Sequence, residues 1–152
     1  MPSYWMLVSS AENFEISRAM GFTLAGMKSR HRKKAEQVAP GDRVLFYLTG
    51  VQAFGGTATA TGTYAEDRSP LWRSKTGDPY PFRFPIRPDV ILPADRFVPA
   101  EPLVHQMAYA QRWPAEHWHL AFQGNVHRLP EADFALIEAA LRRAAAREPA
   151  NV

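Results

Sequence analysis

Residues 53–64, AFGGTATATGTY, narrow the possible folds of this chain more than any other stretch. Ala58, Ala60 and Gly62 alternate with Thr57, Thr59, Thr61 and Thr63. A period of two is that of a strand, here with one small apolar face and one hydroxylated, β-branched face. The Gly55-Gly56 pair predicts a bulge or a close backbone approach within it. Thirteen prolines argue against an all-helical fold, because each one ends or kinks a helix. More strands follow from the same reading. Residues 4–8 (YWMLV) read as a short buried strand and residues 43–48 (RVLFYL) as another. In residues 82–92 (FRFPIRPDVIL), Pro85 and Pro88 place part of a strand at an edge or bulge.

Helices fit between these strands. Ser10 resembles an N-cap, opening a helix that runs to about Met20 and stops at Gly21. Residues 22–27 hold Gly26 and read as an ordered loop. Ser29 predicts a cap for a second helix over residues 30–38, with Ala35 and Val38 facing inward. Pro40-Gly41-Asp42 is a turn. Pro130 suits a first helical turn, and Phe134, Ile137, Leu141 and Ala144 form one apolar stripe after it. Residues 93–129 carry little pattern beyond a short helix expected from Pro114 to His119. Strands alternating with short helices indicate a mixed α/β domain around a curved or barrel-like sheet, without the crossover helices of a doubly wound one. Residues 1–147 read as a single domain and residues 148–152 as a frayed tail.

The chain has 152 residues and a formal charge of +3. Five cations, Lys28, Arg30, Arg32, Lys33 and Lys34, fall within residues 28–34, and without them the balance is −2. Charge concentrated in this way suits a phosphate-binding surface; its plainer reading is a solvated helix face. There are no cysteines, which excludes disulfides, thiolate zinc sites and cysteine nucleophiles. The N-terminal MPSYWMLVSS lacks a charged n-region, and no run approaches the ~20 apolar residues of a membrane span. The expectation is a cytoplasmic protein with no membrane partner.

Catalytic and metal signatures are missing: no G-x-S-x-G, H-E-x-x-H, Walker lysine loop or dinucleotide fingerprint is present. His117 and His119 would share a face on a strand, but diverge on the helix this segment resembles, so surface or core histidines are the better reading. Trp72 is more telling. It lies in a polar loop, residues 66–79, between Arg68 and Arg73, with Lys75 close by. It either stacks on a base or folds back as a lid on the sheet. Tyr80 and Phe82 read as core, and Ser10 and Asn13 as capping residues.

Taken together, these stretches resemble the EVE domain family of the PUA-like superfamily, along nearly the whole chain. The matching segments are YWMLVSSAENF, KSRHRKKAEQVAPGDRVLFYLTG, AFGGTATATGTYAEDRSPLW, YPFRFPIRPDVIL and WHLAFQGNVHRLPEADFALI. The family is distantly similar to the YTH domain, which binds N6-methyladenine in RNA through an aromatic cage. The resemblance implies a PUA-like curved, barrel-like sheet with surrounding short helices and a C-terminal helix. It also implies a base pocket, in which Ser9, Ser10 and Asn13 read the polar edge of an extruded base and Trp72 supplies a cage wall. Many EVE sequences have Trp-Gly where this chain has Ala25-Gly26. Phe22 and Tyr80 are the candidates to replace that wall; a pocket for a larger modification and a lost activity are the alternatives.

The resulting expectation is a non-enzymatic module that reads a modified base in DNA or RNA, needs no cofactor, and holds phosphates with Lys28, Arg30, Arg32, Lys33 and Lys34. The competing readings are a nucleotide- or RNA-processing enzyme, and a small-ligand or protein-interaction module that keeps the fold.

Overall fold

The computed structural model describes residues 1–147, and the expected tail, residues 148–152, lies outside the described residues. Its centre is a curled sheet. Strand β1 (Tyr4–Ser10) runs parallel to β3 (Arg43–Thr49) and antiparallel to β8 (Val126–Leu129). Strand β4 (Ala53–Ala60) pairs with β3 and with β6 (Phe82–Ile91), and β6 pairs in turn with β2 (Leu24–Met27). The strand order is therefore β2-β6-β4-β3-β1-β8, with the two-residue β5 (Ala65–Glu66) and β7 (Val98–Pro99) attached to β6 and β4. The sheet curls so that side chains bridge its two ends. The Lys28 amide donates to the Asn125 side-chain oxygen at 2.9 Å, and Lys34 Nζ donates to the Val126 carbonyl at 3.2 Å.

The parallel β1–β3 pair demands a crossover, because a tight turn reverses direction. Helix α1 (Ala11–Ala19), β2 and helix α2 (Arg32–Gln37) form it. Ser10 caps α1 as expected, its Oγ accepting from the Asn13 amide at 3.0 Å; such caps are worth about 1 kcal/mol. Gly21, at φ +71°, ends the helix. Residues 24–27 correct the expected loop. Ala25 and Met27 are buried while their neighbours are half-buried, a strand alternation that Gly26 obscures. The second helix also starts later than expected, since residues 29–31 form a single 3₁₀ turn before it.

Strand β4 explains its own composition. A Cβ on Gly55 would stand 2.8 Å from the Phe14 ring, and one on Gly56 would stand 2.6 Å from the Val90 carbonyl. The register with β3 also shifts opposite Gly55, so both readings of the pair hold. Regular pairing ends at Ala60, short of the expected Tyr64. Ala58 and Ala60 face the core inside the curl, among Trp5, Leu7, Phe14, Phe22, Phe46 and Phe84. The threonine face is covered too: Thr57 donates to Glu138 at 2.9 Å and Thr59 to Asp89 at 2.6 Å. Arg43 pairs with both carboxylates. In β6, the register shift beside Pro88 is the bulge expected there.

Helix α4 (Glu131–Ala146) packs on the outer face through Phe134, Ile137 and Leu141. Residues 93–125 wrap around this second core as short pieces, including α3 (Glu101–Val104) and a 3₁₀ run over Ala115–Phe122. They are tied down by isolated polar contacts. Buried Asp133 accepts from the Ala108 and Tyr109 amides, and Trp118 Nε1 donates to Glu101. No described helix is long and apolar enough to cross a membrane.

Candidate nucleic-acid interface

Where the curled sheet opens, the end of β1 and the start of α1 border a cleft of about 890 Å³. At its floor, bounded by Val8, Ser9, Asn13, Tyr80 and Asn125, lies a smaller recess of about 40 Å³, room for one or two waters. Phe14, Phe46, Ala25, Gly26 and Trp72 continue its wall inward.

Trp72 is held on three sides. Its Nε1 donates to Ser17 Oγ at 3.0 Å, and the Arg83 guanidinium sits 5.3 Å from its ring centroid. Its ring also covers Gly26 so closely that a Cβ there would be 2.7 Å from Cζ3. Glycine at 26 is therefore a requirement of close approach. Tyr80 presents an edge to Trp72 at 6.0 Å, and its φ of +53° is unusual for a bulky residue. Trp72 thus both rests on the strand and walls the recess.

Arg83 builds the loop that carries these aromatics. Only 4% exposed, it donates to the Tyr80 and Pro79 carbonyls and to both Ser69 oxygens, and lies 3.5 Å from Asp67. Asn13 adds two 2.8 Å bonds, donating to the Arg73 carbonyl and accepting from its amide. Asp78 accepts from the Tyr80 and Ser29 amides, linking the loop to the basic run. Burial opposes the Asp78 charge, but these amides and Lys28 outweigh it and hold its carboxyl below the usual range. Partial satisfaction of Asn13 leaves one further donor and a lone pair on its amide.

The expected pocket residues separate accordingly. Ser9, Asn13, Ala25, Gly26, Trp72 and Tyr80 come together around the recess. Ser10 lines only the outer cleft, with its hydroxyl engaged in the helix cap. Phe22 is corrected: it lies in the core, 3% exposed, against Phe14 at 4.9 Å and Phe46 at 6.0 Å, and does not line the recess. Phe14 and Phe46 supply aromatic surface in its place. Asn125 carries no signal in the sequence. Buried where the sheet's ends are bridged, it accepts from Lys28 and donates to the Val8 carbonyl at 3.4 Å.

The basic run divides as well. Lys28 and Arg30 line the cleft, and Lys28 Nζ lies 5.7 Å above the Tyr80 ring. Arg32 instead pairs with Glu36 at 3.8 Å, Lys34 reaches Val126, and Lys33 is exposed outside the cleft lining. The cause is local. The 3₁₀ turn ends at His31, and the helix then carries the following side chains away. Arg73 and Lys75 from the Trp72 loop complete the cationic rim, with Glu12 3.4 Å from Arg73. Burial lowers His31 to about 4, helped by Lys34, Arg30, His127 and Lys28, so it adds no charge at neutral pH. Among the described residues no three His, Cys, Asp or Glu are grouped to hold a metal.

A curled half-barrel sheet with short helices around it and a C-terminal helix is a PUA-like fold. Within that class the chain belongs to the EVE domain family, whose model matches residues 3–140. It is 26% identical over 148 residues to a UPF0310 protein of Pyrococcus abyssi, covering 91% of this chain and 99% of that one. Human THYN1, solved in complex with 5-methylcytosine-containing DNA, superposes with a TM-score of 0.59 at 16% identity, covering 97% of this chain and 99% of THYN1. The YTH domain of Zygosaccharomyces rouxii MRB1, solved in complex with N6-methyladenosine RNA, gives 0.61 at 16% identity, covering 99% and 92%.

Proposed function

We propose that this protein is a non-enzymatic nucleic-acid-binding module that reads a modified base. One observation carries the reading: an aromatic recess walled by Trp72 and Tyr80 opens at the floor of a cleft rimmed by Lys28, Arg30, Arg73 and Lys75. Phosphates belong on such a rim, and a π-face belongs against Trp72. Two structural relatives, one bound to 5-methylcytosine DNA and one to N6-methyladenosine RNA, support a methylated base as the ligand. The recess, about 40 Å³ as it stands, holds a group of methyl size, so a base that stacks on Trp72 enters through the mouth beside Tyr80 and widens it. Asn13 and Ser9 lie at that mouth, where the polar edge of an extruded base would be read.

The test is a binding titration of matched oligonucleotides, with and without methylated bases, across a range of salt. Affinity should fall steeply with salt, as phosphate contacts release counterions. Stacking on one aromatic is worth about 1–3 kcal/mol, roughly 5- to 150-fold in affinity. Trp72→Ala should therefore abolish the preference for the modified base and leave weak non-specific binding. Binding that ignores ionic strength, or a preference that survives Trp72→Ala, would overturn the reading. Turnover of a nucleotide substrate would favour an enzyme instead.

A further inference from the structure

The recess occupies only one part of the cleft, which is far larger than one base substituent needs. A second wall borders the remainder. Gln52 comes from the β3–β4 turn, Gln123 follows the 3₁₀ run, and the buried Tyr47 and Phe122, 4.7 Å apart, line the cleft as well, as does His119. None of these five lines the recess. This wall differs in chemistry from the rest of the cleft. The four cations of the rim come from residues 28–30 and 73–75, next to Tyr80 and Asn13, whereas the second wall has no Lys, Arg, Asp or Glu.

What it offers is neutral hydrogen bonding. The side chains of Gln52 and Gln123 make no hydrogen bond to other described residues, and each carries two donors and an acceptor. Tyr47 is 3% exposed, and burial pushes its hydroxyl up to about 12, so it stays a protonated donor facing the cleft. Gln52 is also held in an uncommon conformation, φ +52°, with its carbonyl fixed by the Ala100 amide at 3.0 Å. Of the three described non-glycine residues with left-handed backbone, Tyr80 and Gln52 line this cleft from different elements. The left-handed backbone of Gln52 belongs to the β3–β4 turn, and it sets the position from which the side chain borders the cleft.

Building on the base-reading function, we propose that Gln52 and Gln123 read the nucleobase flanking the modified one. A neutral amide can donate to a phosphate, which only accepts, but on the donor–acceptor edge of a base both its N–H and its oxygen are used. The strand then lies with its phosphates along the cationic rim and its neighbouring base toward the amide wall. The protein therefore has a sequence context as well as a modification preference.

The experiment measures binding of full-length protein to oligonucleotides with one modified base and each of the four bases on either side, at fixed salt. Wild type should discriminate among flanking bases by about tenfold, the lower range of one good amide–base contact. The test variant combines Gln52→Gly, which keeps the left-handed backbone accessible, with Gln123→Ala. It should lose the flanking discrimination, while the preference for the modified base and the salt dependence stay as in wild type. Tyr47→Phe, which keeps the ring packing, checks the hydroxyl separately and should reduce discrimination by a smaller factor. A wild type that prefers the modified base but is indifferent to its neighbours overturns this inference alone. So does a double variant that keeps its flanking preference. A wild type with no modified-base preference, or with salt-independent binding, takes down the base-reading function and this inference with it.

Discussion

The basic run and the Trp72 loop lie side by side, linked by Asp78, and they are built on opposite terms. The run is conspicuous in the sequence, with five cations in seven residues, yet only Lys28 and Arg30 reach the cleft. The loop is inconspicuous, with one tryptophan among polar residues, yet it supplies Trp72, Tyr80 and half of the cationic rim. Charge density along a chain says how much charge is available. Backbone geometry says where it goes, and here helix α2 carries Arg32, Lys33 and Lys34 away from the cleft. The loop shows the reverse lesson. An irregular segment becomes a fixed site because one buried arginine satisfies its carbonyls.

The sharpest way to break that comparison is Arg83→Ala. It strands the Ser69, Pro79 and Tyr80 carbonyls and leaves Trp72 without its cation. Bonds to a charged donor are worth about 1.5–3 kcal/mol each, so a loss of about 3 kcal/mol in urea unfolding is expected. Limited proteolysis should then cut first within residues 67–80. A fully protected loop in this variant would mean that Asn13 and Asp78 suffice. Next in size is a charge comparison across the run. Lys28→Ala with Arg30→Ala should lower the slope of log affinity against log salt by about one for each phosphate no longer neutralised, and Lys33→Ala should leave it unchanged. Equal effects from both would restore the view of the run as one surface. The smallest effect concerns pH. His31 titrates near 4 in the fold against an ordinary value of 6.5, so the unfolded chain binds more protons between those values. Stability should decline as pH falls from 6.5 toward 4, and His31→Gln should flatten part of that decline. Chemical denaturation midpoints across this range check it.

The fold was legible where one residue pattern implied one element. The alternation in β4, the aromatic and aliphatic runs of β1 and β3, and the stripe of α4 each depend on local periodicity that burial then rewards. Strand β2 escaped because Gly26 breaks its pattern, and the reason for that glycine is Trp72, forty-six residues away. Residues 93–125 escaped because short 3₁₀ pieces have no sustained period and are fixed by single partners such as Asp133. The site divided on similar lines. Trp72 stands out by residue type, and Asn13 only through the family resemblance. Arg83 and Asn125 do not, since a lone polar residue gains meaning only from partners brought near by folding. Phe22 was the nearby aromatic candidate to replace the wall the resemblance expects at Ala25, but its ring completes a cluster with Phe14 and Phe46.

The bridging of the sheet's ends by Asn125 and Lys34 has a consequence for life in a crowded solution. Strands β2 and β8 end the strand order, and the bare margin of such a strand invites another chain to add itself. In this molecule side chains bridge the two ends, and a lysine already occupies the Val126 carbonyl that an incoming strand would seek. Two side chains thus cover part of the β8 margin, the kind of cover by which open sheets avoid pairing with other chains.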